Sequence, residues 1–190
     1  MKEKNNKRRA TAYLVKIAIL AALSSVLYLF IRIPIFPPPF NVLQFDFATI
    51  PSLLGGFALG PVAGVAIECI KVLIKFFVNP SQSAGVGELS NFIVSIAFVL
   101  PASIIYKYNK TKKGALIGLG VGVICNAIVS SLSNYFLIVP FYAKMISPYI
   151  MDVRVEFAFV YGLAFNVMKT VLTGAITYML YKRLSGILHL

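Results

Sequence analysis

The feature that most constrains this chain is its series of long apolar runs, interrupted by short polar or proline-rich breaks. The longer ones occupy residues 10–31, 88–106, 114–137 and 157–181, and shorter ones occupy 46–59 and 61–78. A helix needs roughly 20 apolar residues to cross about 30 Å of hydrocarbon, and a soluble core does not require runs of that length. Hydrophobic residues make up 59% of the chain and charged residues only 13%, about half the charged fraction of soluble domains. The runs predict an all-α integral membrane protein, a six-transmembrane-helix bundle. Residues 1–190 read as a single transmembrane domain with a basic tail over 1–9.

The breaks have physical causes. Arg32 and Pro34 end the first helix, because proline lacks the backbone donor and disfavours helix before it. The segment 33–44, IPIFPPPFNVLQ, carries four prolines and large apolar side chains. It predicts an ordered proline-rich loop between helices 1 and 2. Gly60-Pro61 predicts a tight turn into helix 3. Residues 79–87 and 107–113 read as loops, the second strongly basic. A longer loop is expected over 141–156, after helix 5 stops ahead of Pro140.

Charge sets the orientation. Of the 18 Lys and Arg residues, twelve lie in the N-terminal segment, the 107–113 loop and the C-terminal end. Basic residues are enriched on the cytoplasmic side of membrane proteins, so both termini are expected in the cytoplasm and the chain in the cell membrane. Tyr13, Tyr106, Tyr108 and Tyr181 then fall near the inner face, and Tyr135, Tyr142, Tyr149 and Tyr161 near the outer one. The net charge of +12 invites a nucleic-acid reading, but the basic residues flank apolar runs and do not line one polar face. The basic start followed by an apolar stretch resembles a signal peptide. That stretch is too long for one and no small-residue cleavage site follows, so a retained first helix is expected. Cys69 and Cys125 sit in apolar runs with no disulfide or metal spacing. No HExxH, GxSxG or Walker motif is present, which argues against an enzyme.

Polar residues inside apolar runs are expensive and usually face a cavity or a partner. Helical spacing places Asn166, Lys169, Thr170, Thr173 and Thr177 on one arc of helix 6. Asn126, Ser130, Ser133 and Asn134 share an arc of helix 5, Glu88, Asn91 and Ser95 one of helix 4, and Glu68, Lys71 and Lys75 one of helix 3. Hydrogen bonding between helices suits the Ser and Thr residues, and Glu68 can pair with Lys71. Asn134, Asn166 and Lys169, with Glu88 and Asn91 near their level, suggest a ligand pocket in the outer half. Candidate partners for Lys169 are Glu68, Glu88 and a ligand carbonyl. The proline-rich loop could cover the pocket with Phe36, Phe40, Leu43 and Phe45, or simply pack on the bundle. Its end, Leu43, Gln44 and Phe45, joins the candidate ligand set. Gly114, Gly118 and Gly122 on helix 5 permit close helix contact, and Ala18 and Ala22 make a small-residue face on helix 1.

Five strings carry a family resemblance: DFATIPSLLGGFALGPVAG at 46–64, GVGELSNFIVSIAFVLPASIIY at 85–106, NYFLIVPFYAK at 134–144, FNVMK at 165–169 and LYKRLS at 180–185. The first resembles the helix 2 to helix 3 hairpin of substrate-capture (S) components of energy-coupling factor (ECF) vitamin transporters. The others resemble their riboflavin-specific members, the RibU family, in order and spacing. The resemblance implies six helices with both ends inside and high-affinity capture of riboflavin from outside. It implies partnership with a transmembrane coupling subunit and two cytoplasmic ATPase subunits. It also implies that Ala18 and Ala22, matching the family's AxxxA pattern, contact the coupling subunit, and that riboflavin is a transported ligand, with no cofactor. Neutral amides can both donate and accept, and a lysine donates, which suits the uracil-like edge of the flavin ring. An S component for another vitamin or heterocycle remains an alternative, as does a stand-alone ion-coupled carrier using Glu68 and Lys71.

Overall fold

The computed structural model describes residues 2–37, 40, 43–80, 85–145 and 148–188, and the side chains of these except at 2–5 and 182–188. Helix α1 spans Lys2–Phe30. It starts well before the expected 10–31, because the basic segment is built of good helix formers. After α1 the chain forms a two-residue strand, β1 (Ile33–Pro34), paired antiparallel with β2 (Gln44–Phe45). This small ladder ties off the base of the proline-rich segment. Pro38, Pro39, Asn41 and Val42 of that segment lie outside the described residues.

Helix α2 (Thr49–Leu59) has 11 residues, a length of about 16 Å at 1.5 Å per residue. Gly60 adopts φ 104°, a conformation side chains avoid, and Pro61 opens α3 (Pro61–Val78). Helix α4 covers Val86–Tyr108 and α5 covers Lys112–Ser133. These two pack closely: a Cβ built on Gly118 would lie 2.7 Å from the Ala102 carbonyl oxygen, and one on Gly122 would lie 2.8 Å from Phe98. The spacing of the glycines therefore serves helix contact, as expected.

Beyond α5 the chain departs from the expected loop. The helix continues through a π-helical stretch, Asn134–Ile138, into α6 (Val139–Met145). The rod from Lys112 to Met145 is 34 residues long. Proline ends an ordinary helix by leaving an earlier carbonyl without its donor. Here the wider π-helical turn directly before Pro140 changes which carbonyls are paired, and the helix runs on. A short 3-10 turn, Pro148–Met151, follows, then a second π-helical stretch, Glu156–Tyr161, which leads into α7 (Gly162–Leu188).

Among the described residues, four helical segments are long and apolar enough to cross a membrane: Asn6–Phe30, Val86–Tyr108, Lys112–Met145 and Glu156–Tyr181. Helix α3 has comparable length but carries Glu68, Lys71 and Lys75, all buried. Large apolar side chains stand exposed along the helices, among them Leu14, Ile19 and Val26 on α1 and Leu116, Ile124 and Ile128 on α5. Such surface is a liability in water and the natural exterior of a protein in lipid. One end of the bundle is filled by Leu53, Phe57, Phe98, Val99, Ala102, Tyr106, Ala115 and Leu119. Cys69 and Cys125 are free thiols and only partly buried.

Candidate ligand-binding site

The other end of the bundle holds a cavity of about 610 Å³, within the range of small-molecule sites. Helices α1, α2, α3, α4, α5 and α7 and the β2 strand all contribute to its wall. The polar arcs of the sequence converge here: Glu88, Asn91 and Ser95 from α4, Asn126 from α5, Asn134 from the first π-helical stretch, and Asn166, Lys169, Thr170 and Thr173 from α7. Apolar and aromatic surface comes from Tyr28, Leu43, Phe98, Ile138, Phe157 and Phe165.

Of the eight expected ligand residues, the wall contains Asn134, Asn166, Lys169, Glu88, Asn91, Leu43 and Gln44. Phe45 is not among them. Successive side chains of a strand point to opposite faces. With Gln44 on the cavity side, Phe45 turns away into the protein, where its ring meets Phe47 edge-on at 5.0 Å.

Four of the five charged side chains at the wall form two ion pairs, and the fifth, Arg32, lies over the Tyr28 ring at 5.3 Å. Lys169 Nζ donates to Asp46 Oδ2 at 2.7 Å, and the other carboxylate oxygen accepts from the Ala48 backbone at 3.0 Å. This corrects the expectation that Lys169 meets Glu68 or Glu88. Asp46 sits just ahead of α2, buried, and reaches across to α7. Lys75 pairs with Glu88 at 3.5 Å and also donates to the Asn79 carbonyl. Glu68 does pair with Lys71 one turn away, fully buried, and the Lys71 ammonium lies 5.0 Å from the centre of the Tyr28 ring. With both of its carboxylates held by lysines, the wall presents amides and hydroxyls that suit a neutral, polar-edged ligand.

The amides are oriented by what they touch. Asn166 Nδ2 donates to the Gly162 carbonyl at 2.8 Å, and Asn126 Nδ2 to the Val94 carbonyl at 2.7 Å. A carbonyl only accepts, so each amide turns its nitrogen toward it and its oxygen elsewhere. Asn126 Oδ1 and Asn91 Oδ1 are buried with no protein partner, and a ligand donor is the natural complement. The threonines of α7 behave differently from expectation. Thr170, Thr173 and Thr177 each donate to a carbonyl one turn back on their own helix. A threonine hydroxyl reaches that carbonyl without a neighbouring helix. Two bonds do cross between elements on the other side: Ser24 Oγ donates to the Ala48 carbonyl, and the Thr49 and Ser95 hydroxyls lie 3.5 Å apart.

The described part of the proline-rich segment packs on the cavity end. Phe40 stacks on Tyr161 with ring centres 4.0 Å apart, and Phe36 meets the same ring edge-on at 5.4 Å. Ala18 and Ala22 are not on the cavity wall and stand on the exposed side of α1, whereas Ile17, Leu20, Ala21 and Ser24 form its buried side.

Sequence reasoning missed Asp46, Asn126, Arg32, Tyr28 and Thr49 as wall residues. Asn126 was legible, since it shares the helix 5 arc with Asn134. Asp46 was not, because its partner lies 123 residues away in the chain and no local periodicity links the two.

A bundle of apolar helices enclosing a polar cavity of small-molecule size is the build of a membrane transport component. Comparison with known proteins makes this specific. A family model described as "ECF transporter, substrate-specific component" matches residues 12–183. The chain is 34% identical over 177 residues to the riboflavin transporter RibU of Staphylococcus aureus (strain TCH60), covering 92% of this chain and 91% of that one. It is 30% identical over 173 residues to the riboflavin transporter FmnP of Bacillus subtilis (strain 168), covering 89% and 91%. A solved structure described as the S component of a bacterial ECF transporter superposes with a TM-score of 0.78 at 33% identity, covering 94% of this chain and 98% of that one. The chain belongs to the family of ECF transporter substrate-specific components. It is a membrane protein of transport and not an enzyme.

Proposed function

We propose that this chain is the riboflavin-capturing S component of an ECF transporter. It binds the vitamin with high affinity from outside and delivers it inward with an ATP-driven ECF module. The observation that carries this reading is the cavity wall, where Asn134, Asn166 and Lys169 stand beside Phe157 and Phe165. A flat ring with a uracil-like edge needs that combination of aromatic surface, amide acceptors and a lysine donor. The likeness to two riboflavin transporters along nearly the whole chain supports the same ligand. In this reading Asn166 and Lys169 meet the polar edge of the ring, Asn134 lines its side, and Glu88, Asn91, Leu43 and Gln44 complete the enclosure.

The partners in this reading are a transmembrane coupling subunit and two cytoplasmic ATPase subunits. Ala18 and Ala22 form the contact with the coupling subunit, and their exposure beside the buried face of α1 supports that role. The chain acts as one transmembrane unit with six spans in the cell membrane and both termini in the cytoplasm. The basic residues Lys107, Lys110, Lys112 and Lys113, where α4 gives way to α5, support this orientation. The proline-rich segment acts as a lid.

The test is the purified protein itself. It should carry a yellow, fluorescent ligand or quench added riboflavin fluorescence at a one-to-one ratio. No quenching by folded protein that holds no ligand already would remove riboflavin from the reading.

A further inference from the structure

We propose that Gly162 is a positioning residue for the binding wall: it seats both Asn134 and Asn166, although it is not itself on the wall. The inference rests on the riboflavin reading above. Gly162 is buried where the second π-helical stretch passes into α7. Its φ of −66° and ψ of −42° are ordinary helix, a conformation in which alanine is preferred over glycine. Backbone freedom therefore does not explain a glycine here. Space does. A Cβ built at this position would lie 2.5 Å from the Phe157 carbonyl oxygen and 2.8 Å from Asn134 Nδ2, closer than carbon normally approaches either atom.

Two different parts of Gly162 act on two different amides. The missing side chain leaves the room into which the Asn134 amide fits. The carbonyl accepts from Asn166 Nδ2 at 2.8 Å, so that amide is held with its nitrogen inward and its oxygen free for a ligand donor. The π-helical turn links the two roles. The Gly162 backbone N–H reaches back to the Phe157 carbonyl, and that same oxygen lies where a methyl group on Gly162 would need to be. Any side chain at 162 must disturb the π-helical turn, the Asn134 amide, or both.

The experiment is riboflavin titration of purified Gly162→Ala, with monodispersity and thermal unfolding checked in parallel. The expected result is a folded protein whose dissociation constant rises about tenfold or more, the loss of one well-placed buried hydrogen bond. The vibrational bands of the bound ring's carbonyl and N–H groups should shift toward their positions in free solution. A general loss of stability would not produce that signature. In an Asn134→Ala, Asn166→Ala background, adding Gly162→Ala should change affinity by no more than about threefold, because the groups it positions are gone. Full additivity would overturn the inference, and so would a Gly162→Ala protein that binds like the unaltered one. Should Gly162→Ala fail to fold, Asn166→Asp tests the carbonyl half. It keeps the shape and an oxygen toward the cavity but has no N–H for Gly162, and it should lose affinity to a similar degree. Unchanged binding by Asn166→Asp would overturn the inference. If the unaltered protein binds no riboflavin, the functional reading falls and takes this one with it; if it binds and Gly162→Ala matches it, only this one falls.

Discussion

The two ends of the bundle are built from the same helices but held together by different physics. At the closed end, Phe57 stacks on Tyr106 with ring centres 4.5 Å apart, and the Tyr106 hydroxyl donates to Tyr181 at 2.9 Å. Leu53, Val99 and Ala102 fill the remaining space with no exposed surface. At the cavity end, packing is interrupted by about 610 Å³ of unfilled volume. There the helices are joined instead by ion pairs, Lys169 to Asp46 and Lys75 to Glu88. Phe98 belongs to both regions, as part of the packed cluster and as part of the cavity wall. The comparison shows how a binding cavity in a lipid environment keeps its shape. Dispersion contacts are forfeited wherever space must stay open, and paired charges and oriented amides take over the task of fixing distances.

The sharpest way to break this contrast is to unpair the cavity end. Lys169→Met strands the buried Asp46 carboxylate and should destabilise the protein by about 3–5 kcal/mol in thermal unfolding. It should also abolish tight riboflavin binding. Adding Asp46→Asn should recover most of the stability and none of the binding; if the single and double variants melt alike, the pair does not hold this end. At the closed end, Phe57→Ala should also cost about 3–5 kcal/mol of stability, through the cavity it opens. The protein that remains folded should bind riboflavin as before, and a parallel loss of affinity would erase the division between the ends. Asn134→Ala and Asn166→Ala should do the reverse, each weakening riboflavin by about 1–3 kcal/mol, ten- to a hundredfold, in fluorescence titration. Their melting temperatures should stay near that of the unaltered protein. The smallest effect is expected from Tyr106→Phe, which removes one hydroxyl bond, costs about 0.5–1.5 kcal/mol of stability and leaves the titration curve where it was.

Much of this architecture was legible because helices in lipid must be apolar outside and can be polar only inward. The arcs containing Asn91, Asn134 and Asn166 pointed at one another from periodicity alone, and all three meet at one cavity. The turn at Gly60-Pro61 was equally plain, since the glycine adopts a positive φ and the proline starts the next helix. What periodicity could not reveal was anything set by distance along the chain or by non-α geometry. Asp46 read as the start of a helix and gave no hint of Lys169. Pro140 read as a stop, because the rule for proline assumes an α-helix on its N-terminal side. Phe45 read as a ligand neighbour, because the loop showed no sign of the two-residue strand that turns it inward. The threonines of α7 read as bridges between helices, although each is satisfied by its own backbone.

The π-helical stretch Asn134–Ile138 has a consequence for how this rod can change by insertion or deletion. Such a turn holds roughly one residue more than an α-helical turn. It therefore works like a slack link in a chain of fixed pitch. Deleting one residue there would let an ordinary α-helix close over the gap and leave the segment up to Met145 near its present orientation, because the shorter α-helical turn also completes one revolution. The Lys112–Ser133 portion would keep its register against α4, with Gly118 still on Ala102. Asn134 marks the seam between the two parts. The rod can thus lose or gain a residue at this seam while both halves keep the neighbours they now have.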